Sequence, residues 1–274
     1  MPRPATARSY AARIERVVAA LHAEPDRDWR LDDLAAIACF SPYHFHRIYR
    51  SICGETAEET RRRLLLHSAA GELIRSSRDI APIARRAGYR SAAAFTRAFS
   101  AAYGRPPAAY RLRQEEIMTT TYEVSIAADA PRRLLGLPHR GSYMRIGEAF
   151  ERLGALAHGA GVVPQGPMIG LYYDDPASVP EAQLRSFAAI EVAPGTAAVG
   201  AIEARDLPGG PTASILHKGP YAELPQAWDW LYGRWLPQSG REPADAPSYE
   251  VYLNDPRDTP PTELLTRIVV PLKA

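Results

Sequence analysis

The chain has 274 residues, 46% hydrophobic and 23% charged, which is enough apolar material for one large or two ordinary cores and excludes a wholly disordered chain. Its apolar runs are too short to span a bilayer, and the opening MPRPATARSYAARIERV lacks the apolar stretch of a secretory signal, so a cytoplasmic location and no membrane partner are expected. The net charge of +2 conceals an asymmetry: residues 1–113 hold 20 Arg, no Lys and 11 acidic residues (+9), whereas residues 114–274 hold 13 basic and 20 acidic residues (−7). A basic half joined to an acidic half points to two units with different partners, the basic one suited to double-stranded DNA.

The N-terminal half contains an internal duplication. SPYHFHRIYRSICG (Ser41 to Gly54) returns as SAAAFTRAFSAAYG (Ser91 to Gly104), with Ser, Phe, Arg and Gly matching at an offset of 50. Upstream, Leu31, Leu34, Ala35 and Ala38 correspond to Ile80, Ile83, Ala84 and Ala87 at an offset of 49. Their i, i+3, i+4, i+7 spacing predicts one buried helix face. Each copy therefore reads as helix, tight turn, helix. Gly88 suits the turn, Ser41 and Ser91 suit the N-caps, and Pro42 suits a first helical position. Phe45, Ile48 and Tyr49 would face inward. Tyr43, His46, Arg47 and Arg50 would then face outward in the first copy, and Ala93, Thr96, Arg97 and Ser100 in the second. AEETRRRLLLHSAAGELIRSS reads as one long helix joining the copies. Cys39 and Cys53 have no CxxC partner and no His at ligand spacing, so buried thiols are expected rather than a disulfide or a metal site.

These two units, the joining helix and the closing AGYRSAAAFTRAFSAAYGRPPAAYR resemble the AraC/XylS family of transcription regulators over Arg8 to Arg113. The resemblance implies two recognition helices in successive major-groove segments. Tyr43, His46 and Arg47 would be the base readers of the first unit, with Arg50 beside them, and Ala92, Ala93, Thr96 and Arg97 would occupy the matching positions of the second. The run Ala92–Ala93–Ala94 departs from that pattern, because direct readout needs donors and acceptors aimed at base edges. The second helix is therefore expected to read fewer bases and to hold phosphates through Arg90, Arg97 and Arg105.

After RLRQEEIMTTTYEVSI the period changes: Tyr122, Val124 and Ile126 alternate with polar residues, as in a strand. The boundary is placed near Gln114 to Thr119, with the domains at 8–113 and 119–274. No long Gly/Ser linker separates them. A second duplication follows. HRGSYMRIGEAF (His139 to Phe150) returns as HKGPYAELPQAW (His217 to Trp228) at an offset of 78, and MIGLYYDDP (Met168 to Pro176) is mirrored by SYEVYLNDP (Ser248 to Pro256). Each copy reads strand, Gly turn, helix, loop, strand, with His139 and His217 in capping or turn roles. Ile146, Phe150 and Leu153 share a helix face in one copy, and Leu224, Trp228, Leu231 and Trp235 in the other; packing comes first for these positions. The expected fold is multidomain: an all-α N-terminal domain with two helix-turn-helix units, then an α+β C-terminal domain of two modules related by a pseudo-twofold axis. Two such modules can enclose a cleft for a small molecule.

The copies differ at one telling position. Gly170 stands opposite Glu250, and strand alternation puts Glu250 on the same face as Tyr252. Glu250 reads either as a solvated or salt-bridged strand residue, or as a carboxylate in an aromatic cleft that a cationic ligand would pair with. The paired H-[RK]-G-x-Y segments and Y-x-x-D-P strand ends resemble the GyrI-like effector-binding domain over Thr119 to Ala274, and the domain order resembles Rob-type regulators. That resemblance implies a small-molecule effector, often cationic and aromatic, held by Glu250, Tyr252, Tyr172, Gly170, Tyr143, Tyr221, Trp228 and Trp230. The function it implies is ligand-responsive transcription regulation, with RNA polymerase as a further partner and no cofactor or metal. Some GyrI-like proteins hydrolyse reactive small molecules, so a hydrolase with Glu250 as general base is the alternative from the enzyme class, although no GxSxG, HExxH or Ser/His/Asp set is present. A module that sequesters a partner peptide is a third reading.

Overall fold

A computed structural model describes residues 4–113 and 119–274. The expected boundary at Gln114 to Thr119 therefore lies outside the described residues, save for Thr119 itself. Helix α1 (Pro4–Ala23) leads into the first helix-turn-helix, α2 (Leu31–Ile37) and α3 (Pro42–Cys53). Helix α4 (Ala57–Arg75) joins it to the second, α5 (Ile80–Arg86) and α6 (Ala92–Tyr103), and α7 (Pro107–Arg111) closes the unit. Thr56 and Glu59 form a reciprocal capping box that starts α4.

Three details depart from the local expectations. Leu31 is the first helical residue of α2 and is 47% exposed, because the buried face begins one turn later at Leu34 and Ala35. Ser91 caps α6 by accepting from the Ala94 amide, but the Ser41 side chain makes no cap bond. The turn that uses Gly88 at φ 79° in the second unit uses Cys39 at φ 53° in the first. Cys39 is exposed rather than buried, so a non-glycine residue carries a left-handed turn there. Cys53 is half-buried, and burial pushes its thiol up to about 12.

The C-terminal domain is an eight-stranded antiparallel sheet in the order β1-β6-β8-β7-β3-β4-β2-β5. Its first half contains β1 (Val124–Asp129), β2 (Arg132–Arg140), helix α8 (Gly147–Ala160), β3 (Met168–Tyr172) and β4 (Arg185–Val192). The second contains β5 (Glu203–Leu207), β6 (Gly210–Lys218), helix α9 (Leu224–Trp230), β7 (Ser248–Tyr252) and β8 (Leu265–Pro271). The pseudo-twofold axis passes between β3 and β7, where Gly170 pairs with Glu250. The modules also exchange their first strands. β1 pairs with β6 and β5 with β2 in one continuous register, Asp129 opposite Gly210 and Arg132 opposite Leu207. Separating the modules would break both ladders.

Alternation sorts the side chains of the sheet. Ile169, Leu171, Tyr249 and Val251 join Leu134, Phe187 and Val269 in a core on one face. The opposite face carries α8 over Leu135, Leu137 and Ile190, and α9 over Ala213, Ile215 and Ile268. The gap between these two helices exposes β3 and β7 and forms the cleft.

The N-terminal helices dock on the same side. Ala155 of α8 completes the core of the first helix-turn-helix, and Ala222 completes that of the second. Gly159 lets α1 approach α8; a Cβ there would stand 2.3 Å from the Ala11 side chain. At the center of the contact Arg63 on α4 bridges Glu55 (2.5 Å) and Glu151 of α8 (2.7 Å), and Glu151 also meets His22 of α1 at 3.0 Å. Burial alone would push the Glu151 carboxyl up, but His22 and Arg63 hold it down at about 2.

Candidate functional site

The cleft is built on the two central strands. Glu250 is only 3% exposed, and each of its oxygens is engaged by the protein. Oε1 accepts from Trp228 Nε1 at 2.7 Å. Oε2 lies within hydrogen-bond distance of the hydroxyls of Tyr172 (2.7 Å) and Tyr252 (2.5 Å). Those two hydroxyls are themselves 2.7 Å apart. Burial raises the Glu250 carboxyl above its ordinary range, against the lowering effect of the bonds from Tyr252, Trp228 and Tyr172. Among the described residues no basic side chain forms an ion pair with it.

Gly170 makes this arrangement possible. A Cβ at that position would lie 3.0 Å from the Tyr172 hydroxyl oxygen and 3.2 Å from two of its ring carbons. Tyr172 therefore folds back over its own strand to reach Glu250 on the neighboring one. In the second copy the matching residue is the glutamate itself, so the two tyrosines converge on one carboxyl and the symmetry is broken.

Aromatic rings enclose that center. Tyr143 meets Tyr172 edge-on at 4.8 Å, Phe150 meets Tyr252 at 5.2 Å, and Tyr221 meets Tyr252 at 5.4 Å. Tyr232 stacks on Trp228 at 5.9 Å, and its hydroxyl lies 2.6 Å from Ser248 Oγ. The open cleft measures about 2650 Å³ and reaches Arg63 and His67 of α4. His67 lies edge-on to Tyr221 at 6.5 Å and bonds the Met144 carbonyl at 3.3 Å; burial holds its imidazole down at about 4, so it is neutral at physiological pH.

Six of the eight residues expected to hold a ligand line this cleft: Glu250, Tyr252, Tyr172, Tyr143, Tyr221 and Trp228. Gly170 lies buried beneath Tyr172 and makes room for it without lining the cleft. Trp230 does not line it either. It packs on Tyr122 at 5.3 Å, with the core of α9 around Ala213 and Ile215. Residues two apart on a helix point nearly opposite ways, so Trp228 and Trp230 cannot share one face. The helix then widens into a π turn over Leu231–Trp235, which places Tyr232 against Trp228. Tyr232 and His67 were not anticipated. Tyr232 lies four residues after Trp228, a helical neighbor spacing that could have revealed it, whereas His67 reaches the cleft only through tertiary packing. His139 ties β2 to β4, its Nδ1 lying 2.8 Å from Ser186 Oγ, while His217 has its Nδ1 3.1 Å from the Tyr122 hydroxyl and interacts with the backbone of Pro220 in the turn that follows.

On the N-terminal unit, Tyr43 (88% exposed), His46, Arg47 and Arg50 line the outer face of α3. Arg90, Ala92, Ala93 and Arg97 are exposed at α6, and Thr96 is half-buried. Arg47, Arg90 and Arg97 form no salt bridge among the described residues, so their guanidinium groups are available to phosphates or base edges. Behind these faces, Phe45 and Tyr49 in α3 and Phe95 and Phe99 in α6 are buried.

Two helix-turn-helix units docked on a duplicated sheet with an aromatic-caged carboxyl define a two-domain, helix-turn-helix plus small-molecule-binding architecture. The chain belongs to the GyrI-like small molecule binding domain family, which it matches over residues 122–273, and residues 34–113 match a helix-turn-helix domain of the AraC type. It is 33% identical over 98 residues to the HTH-type transcriptional regulator AlkR of Acinetobacter baylyi, covering 36% of this chain and 32% of that protein, about a third of its length. It is 30% identical over 132 residues to a DNA gyrase inhibitor of Yersinia enterocolitica, covering 46% of this chain and 83% of that one. Among solved structures, the EcmrR–DNA complex in EcmrR-RPo aligns over 90% of this chain and 85% of that one, with a TM-score of 0.51 and 16% identity. The EcmrR C-terminal domain aligns over 56% and 99%, with a TM-score of 0.51 and 18% identity. At these identities the likeness is one of fold.

Proposed function

We propose that this protein is a ligand-responsive, sequence-specific DNA-binding transcription regulator whose C-terminal cleft senses a lipophilic aromatic cation. The observation that carries the reading is Glu250: a buried carboxyl with no basic partner among the described residues, ringed by Tyr172, Tyr252, Trp228, Tyr143, Tyr221 and Phe150. Such a center offers a cation both charge pairing and ring faces, worth roughly 0.5–2 kcal/mol per well-placed ring. The rings of Tyr252, Tyr221 and His67 run in contact from Glu250 to α4, the helix that joins α3 to α6. A ligand that moves Tyr221 would press on that helix and alter how α3 and α6 sit on DNA or beside RNA polymerase.

The hydrolase reading is less well supported. A general base needs a free lone pair aimed at a water or substrate, whereas both Glu250 oxygens are already engaged in hydrogen bonds, one with Trp228 and the other with the two tyrosine hydroxyls. The test is in vitro selection of genomic DNA by the full chain, followed by binding and transcription assays with and without tetraphenylphosphonium. Selection of a defined sequence whose occupancy or transcription changes with the cation supports the proposal. Binding that is indifferent to sequence, or a response absent across a panel of aromatic cations, overturns it.

A further inference from the structure

The contacts around Glu250 set a proton count. Tyr172 to Glu250 Oε2, Tyr252 to Glu250 Oε2 and Tyr172 to Tyr252 measure 2.7, 2.5 and 2.7 Å. Oxygens this close need a hydrogen between each pair, or lone pairs face one another. The two phenols supply two hydrogens for three contacts. A protonated carboxyl supplies the third and closes a ring in which Glu250 donates to one tyrosine, that tyrosine to the other, and the other back to Oε2. The remaining oxygen accepts from Trp228, as the carbonyl oxygen of a neutral acid does.

The surroundings favor the same state. The titratable side chains that β3 and β7 bring to Glu250 are those of Tyr172 and Tyr252, and the flanking strands β4 and β8 place Ala188 and Ile268 in register with the central pair. α8 contributes Phe150, α9 Trp228 with Tyr232 behind it, and the turns before these helices Tyr143 and Tyr221. From α4 come neutral His67 and Arg63, the latter committed to Glu55 and Glu151. At the rim, Asp255 is paired with Arg257, and Asp229 and Asp175 add only like charge. Burial raises the Glu250 carboxyl, and burial also raises the Tyr172 and Tyr252 phenols well above their ordinary value.

We propose that the cleft exchanges a proton for its ligand: Glu250 is a neutral acid when the cleft is empty, and a bound lipophilic cation takes the place of its proton. In the step, the Glu250 O–H bond breaks, its electron pair stays on the carboxylate, and the proton leaves to solvent as the cation arrives. The center is neutral before and after, which distinguishes monocations from neutral and doubly charged ligands of the same shape. This inference rests on the sensing role proposed above.

Calorimetry on the full chain with tetraphenylphosphonium tests it, using buffers of different ionization enthalpy from about pH 5 to about pH 8. The heat should depend on the buffer, and the dependence gives the protons released. Release should approach one per cation below the free carboxyl's titration, where affinity should rise about tenfold per pH unit. Neutral triphenylphosphine oxide should release none, and Glu250→Gln should abolish the release. Infrared difference spectra should show the carbonyl stretch of a protonated acid disappearing as the cation binds wild type. Cation binding without proton release across the whole pH range overturns this proposal and leaves the sensing role standing. Failure to bind any aromatic cation sinks both.

Discussion

Replacing Glu250 by glutamine isolates charge from shape. The amide oxygen can still accept from Trp228 Nε1, and the amide nitrogen can donate to the oxygens of Tyr172 and Tyr252, which now contact Oε2. The volume is unchanged, and because the amide and the two phenols bring four hydrogens to three contacts, one phenol hydrogen turns away from the triad. What is lost is the negative charge that a bound cation would meet, a charge-assisted contact worth about 1.5–3 kcal/mol, or roughly ten- to a hundredfold in affinity. Stability should move the other way. A carboxyl raised by burial binds its proton more tightly in the folded chain than in the unfolded one, so its contribution is fully present below the unfolded titration and is lost as pH rises through the folded one. The variant has no such loss, so its stability advantage over wild type should appear above the ordinary carboxylate range, grow with pH and then level off. Calorimetric titration with tetraphenylphosphonium and triphenylphosphine oxide near pH 8, with urea unfolding at acid and alkaline pH, reads both effects. The reasoning fails if the variant binds the cation as tightly as wild type, or loses the neutral oxide equally, or is less stable than wild type at alkaline pH.

Arg47→Ala should weaken binding to a selected DNA site by about 1–3 kcal/mol, and more than Arg97→Ala, because α3 presents Tyr43, His46 and Arg47 where α6 presents alanines; equal losses in competition mobility-shift assays, uniform across site variants, would refute the asymmetry. Cys39→Gly should stabilize the chain by roughly 0.5–1 kcal/mol: relief of a left-handed non-glycine residue is worth about 1–2 kcal/mol, and the added unfolded-state freedom of glycine takes back about half. Unfolding in urea reads this, and a destabilized variant would show that the cysteine side chain supports the turn. His67→Ala should leave tetraphenylphosphonium affinity within about threefold of wild type yet reduce the cation's effect on DNA affinity, since His67 stands at the far wall of the cleft and meets the Glu250 center through the rings of Tyr221 and Tyr252; an unchanged response in fluorescence anisotropy would exclude this route.

Repetition in the sequence carried most of what could be read from it. The offset of 50 located both helix-turn-helix units, and the offset of 78 located the two halves of the sheet. The contrast of Gly170 with Glu250 marked the site because strands pair copy against copy, so the two residues fall in register at the axis. Strand alternation was enough to put Tyr172, Tyr252 and Glu250 on one face, since a period of two leaves no ambiguity. The helix beside them was harder. Trp228, Trp230, Tyr232 and Trp235 crowd one short segment, and a π turn alters the angular spacing midway, so a regular helical period cannot say which ring faces the cleft. Leu31 and Cys39 show a similar limit at turns, where one residue's exposure depends on where the helix begins and not on its period. The third wall of the cleft was out of reach altogether: His67 and Arg63 sit within a helix that the sequence shows only as the connector of the two copies, and only the docking of α4 on α8 and Tyr221 brings them in.

Both duplications meet in the docking of the two domains. One module supplies Ala155 to the first helix-turn-helix core, and the other supplies Ala222 to the second. Cross contacts tie the halves further, Arg257 of the second module donating to the Cys53 carbonyl and Met144 of the first packing on the second core, and α4 touches both modules through Arg63–Glu151 and His67–Tyr221. A ligand on that axis, at Glu250, sits where a small change in the separation of α8 and α9 would act on both units at once. Exchanged edge strands resist such a change in the sheet, because β1–β6 and β5–β2 would have to break together. The compliant parts are the side chains between sheet and helix: the paired hydroxyls of Tyr172 and Tyr252, the ring of Tyr221, and His67. Under the sensing role proposed above, a binding event confined to those groups would need no rearrangement of the fold to reach the helix joining the two helix-turn-helix units, and a single carboxyl opposite Gly170 would be enough to orient a ligand in a nearly symmetric cleft.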